Sequence, residues 1–305
     1  ADTNAVEIAS IPEQCEEKKM AAENAALPEV PLAAPDAGAI VKLGGSLLTF
    51  KSSPVPRVNE TELQRMALLL ATHMHFPAVL VHGAGSFGHG PVMQSGVLKR
   101  DLDAPARLQW GRIAALQYQL DAIVADALLE AGLPVWPLQA SALGKFDENG
   151  ELQIFVQPLQ DALEQGFIPL LYGTVGFSCG QQRPVILSGD DLAPALALRL
   201  GFSRILHLTD APGVCDRDPK VHADARVLPF IPASESVHFD PSGELHDATG
   251  AMGGKIQKLR GAARAGILSW IVDGRNHNAV RRAMAGLAAG TVVGPDDFAL
   301  RFGMK

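Results

Sequence analysis

Three lysines and a histidine stand beside runs of glycine in this chain. Lys42 precedes Gly44-Gly45-Ser46 and Lys51 follows it, Lys255 ends Gly250-Ala251-Met252-Gly253-Gly254-Lys255, and His89 closes Gly83-Ala84-Gly85-Ser86-Phe87-Gly88. Glycine lets the backbone approach an anion closely and turn successive N–H groups towards it. Ammonium groups around such loops can neutralise the equatorial and bridging oxygens of a phosphoryl group in transfer. A fourth turn, Ser188-Gly189-Asp190-Asp191, adds carboxylates. Asp190 can orient a lysine there, or hold Mg2+ through water, since Mg2+ keeps most of its hydration shell. The chemistry this set points to is phosphoryl transfer between anions.

Each member also has a plainer reading. Gly44-Gly45 suits a simple tight turn, Lys51 and Lys255 suit a solvated surface, Asp190 suits the N-cap of the next helix, and His89 is a loop histidine. His82, inside a strand, reads as a packed core residue or as support for the site from behind. The combination is more specific than its parts, and neither common phosphate loop explains it. A complete strand–glycine–helix unit precedes the GxGxxG at Gly83–Gly88, and Asp101 and Asp103 stand before a helix, so the dinucleotide fingerprint fits poorly. The pattern GxxxxGK[ST] is absent.

The elements that must position these residues alternate. Apolar runs at Ala39–Leu43 and Ala78–Val81 read as buried strands that end in glycine turns. Asn59 with Glu62 is an N-cap pair for a helix to about His73. Pro105–Ala131 is a long helix closed by Gly132. Strands follow at Pro134–Leu138, Ile168–Tyr172, Arg204–Thr209, Ser269–Val272 and Gly290–Val293. Asn149-Gly150 marks a hairpin, and Val175–Leu187 a second one around Cys179-Gly180. Helices span Pro158–Gln165, Ser188–Leu200 with Pro194 in the first turn, Gly250–Ala265 and Asn276–Ala285. Val214–Val227, with Asp216 and Asp218, reads as a loop. This alternation means an open, mainly parallel sheet with helices on both faces, and in such sheets ligands bind beyond the carboxyl ends of the strands.

The 305 residues are 47% hydrophobic and 19% charged, with a formal charge of -7. That is chain enough for a sizeable α/β core. The acidic balance argues against a general nucleic-acid binder, and no apolar run reaches the ~18–20 residues that span a bilayer. Cys15, Cys179 and Cys215 form no CxxC or metal spacing, so they read as reduced thiols in a reducing compartment, the cytoplasm. Residues 1–38 are rich in Ala, Glu and Pro without a period, and read as a flexible extension. Their glutamates are unlike a transit peptide.

Taken together, Lys42-Leu-Gly-Gly-Ser46, Lys51, His82-Gly-Ala-Gly-Ser-Phe-Gly-His89, Ser188-Gly-Asp-Asp191, Leu208-Thr-Asp210 with Gly213-Val214, and Asp247-Ala-Thr-Gly250 with Met252 and Lys255 resemble the amino acid kinase superfamily. Within it the chain is most similar to the isopentenyl phosphate kinases, because of the histidine that closes HGAGSFGH, a feature shared with fosfomycin kinases. The resemblance runs from about Ile40 to Val293. It implies a three-layer αβα sandwich over residues 39–305, with the acceptor bound by the N-terminal part and ATP by the C-terminal part. It implies that Lys42, Gly44, Gly45 and Ser46 hold the ATP phosphates, with Lys51 bridging towards the transferred group. Ala84 and Gly85 would lie along the donor and acceptor phosphates, His89 would hydrogen-bond the acceptor phosphate, and Asp190 would position a lysine. Thr209, Asp210, Gly213, Gly250 and Ala251 would lie by the nucleotide, and Lys255 by the β- and γ-phosphates. Gly83, Ser86, Gly173 and Ser188 complete the acceptor side.

The implied reaction moves the γ-phosphoryl of Mg-ATP to isopentenyl phosphate, and a homodimer is expected. A phosphonate such as fosfomycin is the alternative acceptor, and a nucleotide sensor without transfer the alternative of another class. The prenyl tail needs an apolar slot, for which Leu108, Ile113, Leu116 and Leu120 are candidates, though a core face explains them equally well. Three positions depart from the pattern: Ala84 and Ala251 replace glycines, and Thr174 stands where members often have Asp.

Overall fold

The computed structural model describes residues 29–303, apart from 52, 54, 100, 182, 218–221, 223 and 235–250. In chain order the elements are β1 (Ala39–Leu43), α1 (Gly45–Leu48), α2 (Glu60–His73), β2 (Ala78–His82), α3 (His89–Ser95), α4 (Ala104–Glu130) and β3 (Val135–Pro137). Then come α5 (Ala140–Leu143), β4 (Gly144–Phe146), β5 (Leu152–Ile154), α6 (Gln157–Glu164), β6 (Ile168–Tyr172), β7 (Thr174–Gly176), β8 (Val185–Leu187) and α7 (Gly189–Leu200). β9 (Arg204–Thr209), β10 (Phe230–Pro232), α8 (Ala251–Arg264), β11 (Leu268–Asp273), α9 (His277–Met284) and β12 (Thr291–Gly294) follow.

The main sheet runs β10-β12-β11-β9-β1-β2-β6-β3. Every neighbouring pair is parallel except β11 with β12. β4–β5 and β7–β8 are separate antiparallel hairpins. Parallel strands buried on both faces read as continuous apolar runs, and β1 and β2 are buried at every position. Val41, Leu43, Leu80, Leu206 and Leu208 face the core under α2, α4 and α9. Ile40, Val79, Val81, Ile205 and Ile271 face the opposite core, under α7 and α8. This is the three-layer αβα sandwich that the sequence implies.

Local signals explain most helix ends. The Asn59 side chain accepts from Glu62 N, and Asp103 caps α4 through Ala106 N at 2.7 Å. Pro194 departs from expectation. α7 begins at Gly189, so Pro194 lies inside the helix rather than in its first turn. Proline has no N–H, so it cannot donate to the carbonyl of Asp190 four residues back.

Of the extension expected over 1–38, residues 1–28 lie outside the described residues. Residues 29–37 lie against the domain. Leu32 N donates to Gly286 O at 2.8 Å, and Arg282 pairs with Glu29 at 3.0 Å. Arg204, fully buried at the start of β9, donates to the carbonyls of Pro35, Ala37 and Met284.

Candidate active site

Strand register sets Val81, Lys42, His207 and Ile271 in one row across β2, β1, β9 and β11. The outer two are core residues beneath α7 and α8. The inner two are a buried lysine and a buried histidine. An unpaired buried charge costs several kcal/mol, so a lysine in such a row needs an anion. Asp190, in the first turn of α7, is that anion. Its Oδ1 accepts from Lys42 Nζ at 2.8 Å and from Lys255 Nζ at 2.7 Å. Lys255, in the second turn of α8, is also buried. His207 Nδ1 lies 3.7 Å from the same oxygen, too far for a hydrogen bond, and both its ring nitrogens lack a hydrogen-bond partner among the described residues.

Two ammoniums thus share one carboxylate, leaving a surplus positive charge. Burial works to raise the Asp190 carboxyl, but Lys42 and Lys255, with His207, outweigh it and hold it far below the usual carboxylate range. Burial, then the repulsion of Lys42, pushes Lys255 down to about 8 against the pull of Asp190. Burial and both lysines depress His207 strongly, so its ring is neutral.

The carboxyl ends of β1 and β2 carry the glycines. Gly83 N donates to Leu43 O at 2.9 Å and Gly44 N to Leu208 O at 2.8 Å, so the turns leave neighbouring strands side by side. A side chain on Gly83 would sit 2.7 Å from Gly45 N, and one on Gly45 would strike Gly85 N. Gly85, at φ +48°, takes a conformation that suits glycine, with Thr49 and the Gly45 carbonyl against it. Ser86 and Thr49 lock the two turns: Thr49 Oγ1 accepts from Ser86 N at 2.9 Å. Among the described residues the amides of Gly45, Ala84 and Gly85 have no recorded acceptor. Unpartnered amides beside surplus ammonium charge fit a phosphate ligand.

His89 opens α3 with an accessible ring, and Lys51 is exposed nearby. Partial loss of hydration, then Lys51 and Lys42, lower the His89 pKa, against the pull of Asp190. Lys51, His89, Lys42, Asp190 and Lys255 therefore form one electrostatic group.

The other expected residues are arranged as follows. Gly44 precedes α1, and Gly45 and Ser46 open it; the glycine turn of the sequence reading is here the start of a one-turn helix. Ser188, not Asp190, caps α7: its hydroxyl accepts from Asp191 N and donates to Asp191 Oδ2 at 2.5 Å. The Ser86 hydroxyl donates to Arg57 O at 3.3 Å and accepts from Arg57 N at 3.1 Å. Gly173 N donates to His82 O, and a side chain there would come 3.0 Å from Gly189 N. Thr209 ends β9 and Asp210 follows it, its carbonyl accepting from Arg275. Gly213 packs against Thr291 and Val227. Gly250 lies outside the described residues, and Ala251 begins α8.

Of the proposed apolar slot, Leu108 faces solvent, Leu120 belongs to the main core and Leu116 packs against it. Ile113 instead joins Val92, Val97, Trp110 and Val175 in a small cluster between α3, α4 and β7. Sequence reasoning gave no role to His207. Alternation alone says that His207, two residues past Ile205, shares that residue's face; that Lys42 stands beside it follows only from strand order and register.

These features define a phosphate-handling α/β protein, and the family model for the amino acid kinase family matches residues 38–273. The chain belongs to that family. It is 32% identical to isopentenyl phosphate kinase of Methanothermobacter thermautotrophicus over 81% of this chain and 95% of the relative, and 30% identical to that of Thermoplasma acidophilum over 78% and 92%. An X-ray structure of isopentenyl phosphate kinase superposes with a TM-score of 0.72 at 30% identity, covering 84% of this chain and 99% of that one.

Proposed function

We propose that this protein is an ATP-dependent kinase of isopentenyl phosphate, producing isopentenyl diphosphate and ADP. The observation that carries the proposal is the sharing of Asp190 between Lys42 and Lys255, next to unpartnered loop amides and within electrostatic reach of His89 and Lys51. A general base is not required, because the acceptor oxygen is already ionised. The obstacle is the repulsion of two anions, and cations with fixed amide dipoles relieve it.

Lys42, Gly44, Gly45 and Ser46 are assigned to the donor phosphates and Lys255 to the β- and γ-phosphates. Thr209, Asp210, Gly213, Gly250 and Ala251 are assigned to the rest of the nucleotide. Lys51 follows the group in transit, and Asp190 aims Lys42 and Lys255. The amides of Ala84 and Gly85, with His89, are assigned to the acceptor phosphate, and Gly83 and Gly173, whose own amides are held by the carbonyls of Leu43 and His82, are assigned to its surroundings. Ser86 and Ser188 act by fixing the loop and the start of α7. The small apolar cluster around Ile113, which flanks the helix that His89 opens, suits the isoprenyl chain.

Among the described residues no three His, Cys, Asp or Glu side chains converge as a metal cage. An Mg2+ accompanying the nucleotide would supply charge neutralisation, and Asp190 is the carboxylate that could hold it through water. The same proposal includes a homodimer, as the family resemblance implies, and a cytoplasmic setting, which suits the free thiol of Cys179. No helix among the described residues is long and apolar enough to cross a membrane.

The test is ADP release from Mg-ATP with isopentenyl phosphate, with fosfomycin, and with no acceptor. Turnover dependent on isopentenyl phosphate is expected. Preference for the phosphonate would reassign the acceptor, and nucleotide binding without transfer to any acceptor would overturn the kinase reading.

A further inference from the structure

His82, the last residue of β2, is fully buried, and both its ring nitrogens face oxygen acceptors. Nδ1 lies 3.2 Å from the Gly83 carbonyl and Nε2 lies 3.1 Å from Asp121 Oδ1. A neutral imidazole has one N–H and one lone pair. It can serve one of these oxygens and must turn its lone pair on the other. A doubly protonated ring satisfies both, and Asp121, itself buried on α4, supplies the matching charge. The ring of Tyr172, on β6, stacks on the imidazole with centroids 5.6 Å apart and planes 20° from parallel, an arrangement that favours a cation. The charged and titratable groups around this point are Asp121 on α4 and Tyr172 on β6, with Tyr118 of α4 beyond. The Tyr172 hydroxyl has no partner among the described residues, and burial followed by the Asp121 charge raises it to about 12.

The pair acts on the glycine loop through one peptide plane. In a trans peptide the carbonyl and the next N–H point in opposite directions. Holding the Gly83 carbonyl towards His82 therefore turns the Ala84 N–H away from the core, and that N–H has no acceptor among the described residues. One turn earlier on α4, buried Gln117 accepts from Thr174 Oγ1 at 2.9 Å and Val175 N at 3.1 Å, and its amide nitrogen lies against Gly88. Helix α4 thus braces the loop at both ends, by Asp121 at its start and by Gln117 at its close.

We infer that Asp121 and His82 form a buried imidazolium–carboxylate pair that aims the Ala84 amide at the phosphate of the acceptor. Both are positioning residues; neither touches substrate. The inference rests on the kinase reading for the identity of that phosphate, but its charge state does not.

The first test is the 15N spectrum of histidine-labelled full-length protein, with the His82 signals assigned by their loss in His82→Gln. Both ring nitrogens are expected to be protonated at pH 7.5, as the two facing oxygens require. A neutral ring would overturn the inference whether or not any variant folds. The second test is Asp121→Asn, whose amide can donate to Nε2 and so keeps the geometry without the charge. Its Nε2 signal should move to the unprotonated range. The acceptor KM should rise about tenfold or more while the nucleotide KM stays within about twofold. Equal change in both KM values, or in neither, would overturn the positioning role. Wild-type protein that phosphorylates no acceptor would sink the kinase reading and leave the spectral result standing.

Discussion

Lys42 and His207 are cross-strand partners on β1 and β9, and both look up at the same oxygen of Asp190, one from 2.8 Å and the other from 3.7 Å. The second lysine, Lys255, reaches that oxygen from α8. One carboxylate therefore ties β1 to two helices where the glycine turns begin, with the neutral ring of His207 on β9 packed beside it.

Replacing Asp190 with Asn leaves two buried ammoniums without their counter-charge. Breaking a buried pair typically costs about 3–5 kcal/mol, and a partly solvated carboxylate such as this falls near the lower end. A lower melting temperature and a larger upward shift on adding ATP are expected, because phosphates then supply the missing negative charge. The carboxyl is depressed in the folded state. Its contribution is fully present above the ordinary carboxylate range and is lost as pH falls below about 4. Acid unfolding of Asp190→Asn should therefore start from a lower stability and fall less steeply. Coincident acid titration curves for the two proteins would contradict this.

Lys255 gives an alkaline limit. Its ammonium is charged below about 8 and loses its proton above it. Attraction for the nucleotide phosphates weakens in that direction, so kcat/KM for ATP should fall on an apparent pKa near 8. Arginine keeps its charge throughout. Lys255→Arg should retain part of the activity and lose the alkaline fall, as a pH–rate profile from 6.5 to 9.5 would show. An unchanged profile would assign the ionisation elsewhere.

His89 and Lys51 lie at the exposed mouth, so their removal should separate catalysis from folding. His89→Ala and Lys51→Ala are each expected to cost about 10²–10³ in kcat/KM for the acceptor, the range for one lost charge-stabilising donor. Stability should stay within about 0.5 kcal/mol of wild type by denaturant titration. Wild-type turnover in both variants would refute the site.

Two glycine-to-alanine changes should have opposite signs. At Gly45 the new methyl runs into the backbone of Gly85, so the turns must part. Losses of roughly 1–3 kcal/mol and of most activity are expected. At Gly261, inside α8, nothing lies within 4 Å. Alanine there should stabilise by about 0.5–1 kcal/mol with activity unchanged, measured by the same denaturant midpoints.

Much of this architecture was legible before any coordinates. The central strands advertise themselves as apolar runs that halt at glycine, and Asn59, Asn149-Gly150 and Gly132 mark ends by known turn and cap chemistry. Other parts had no local signal. α3, reading HGPVMQS, has no apolar period and takes its place from packing near α4. β10 is three residues long and becomes a strand only by pairing with β12. Strand order sets His207 beside Lys42, and order is a property of the whole sheet. The start of α7 was legible from Ser188–Asp191, and the capping box there bears it out; only Pro194 was misplaced, since it stands five residues past Gly189 and so beyond the first turn. Cap chemistry also explains Ser188, whose hydroxyl is committed to the helix rather than left for a ligand.

Arg204 bears on how the gene can be handled. Its guanidinium is sealed inside and fastened to the carbonyls of residues 35 and 37. A fusion tag or deletion that ends upstream of Glu29 leaves that fastening whole. A cut that removes residues 35 to 37 strips an interior cation of two of its three carbonyl acceptors, leaving only Met284, and loosens the starting end of β9, three residues from His207. An expression clone trimmed to the first strand would therefore yield a protein weakened at the foot of β9.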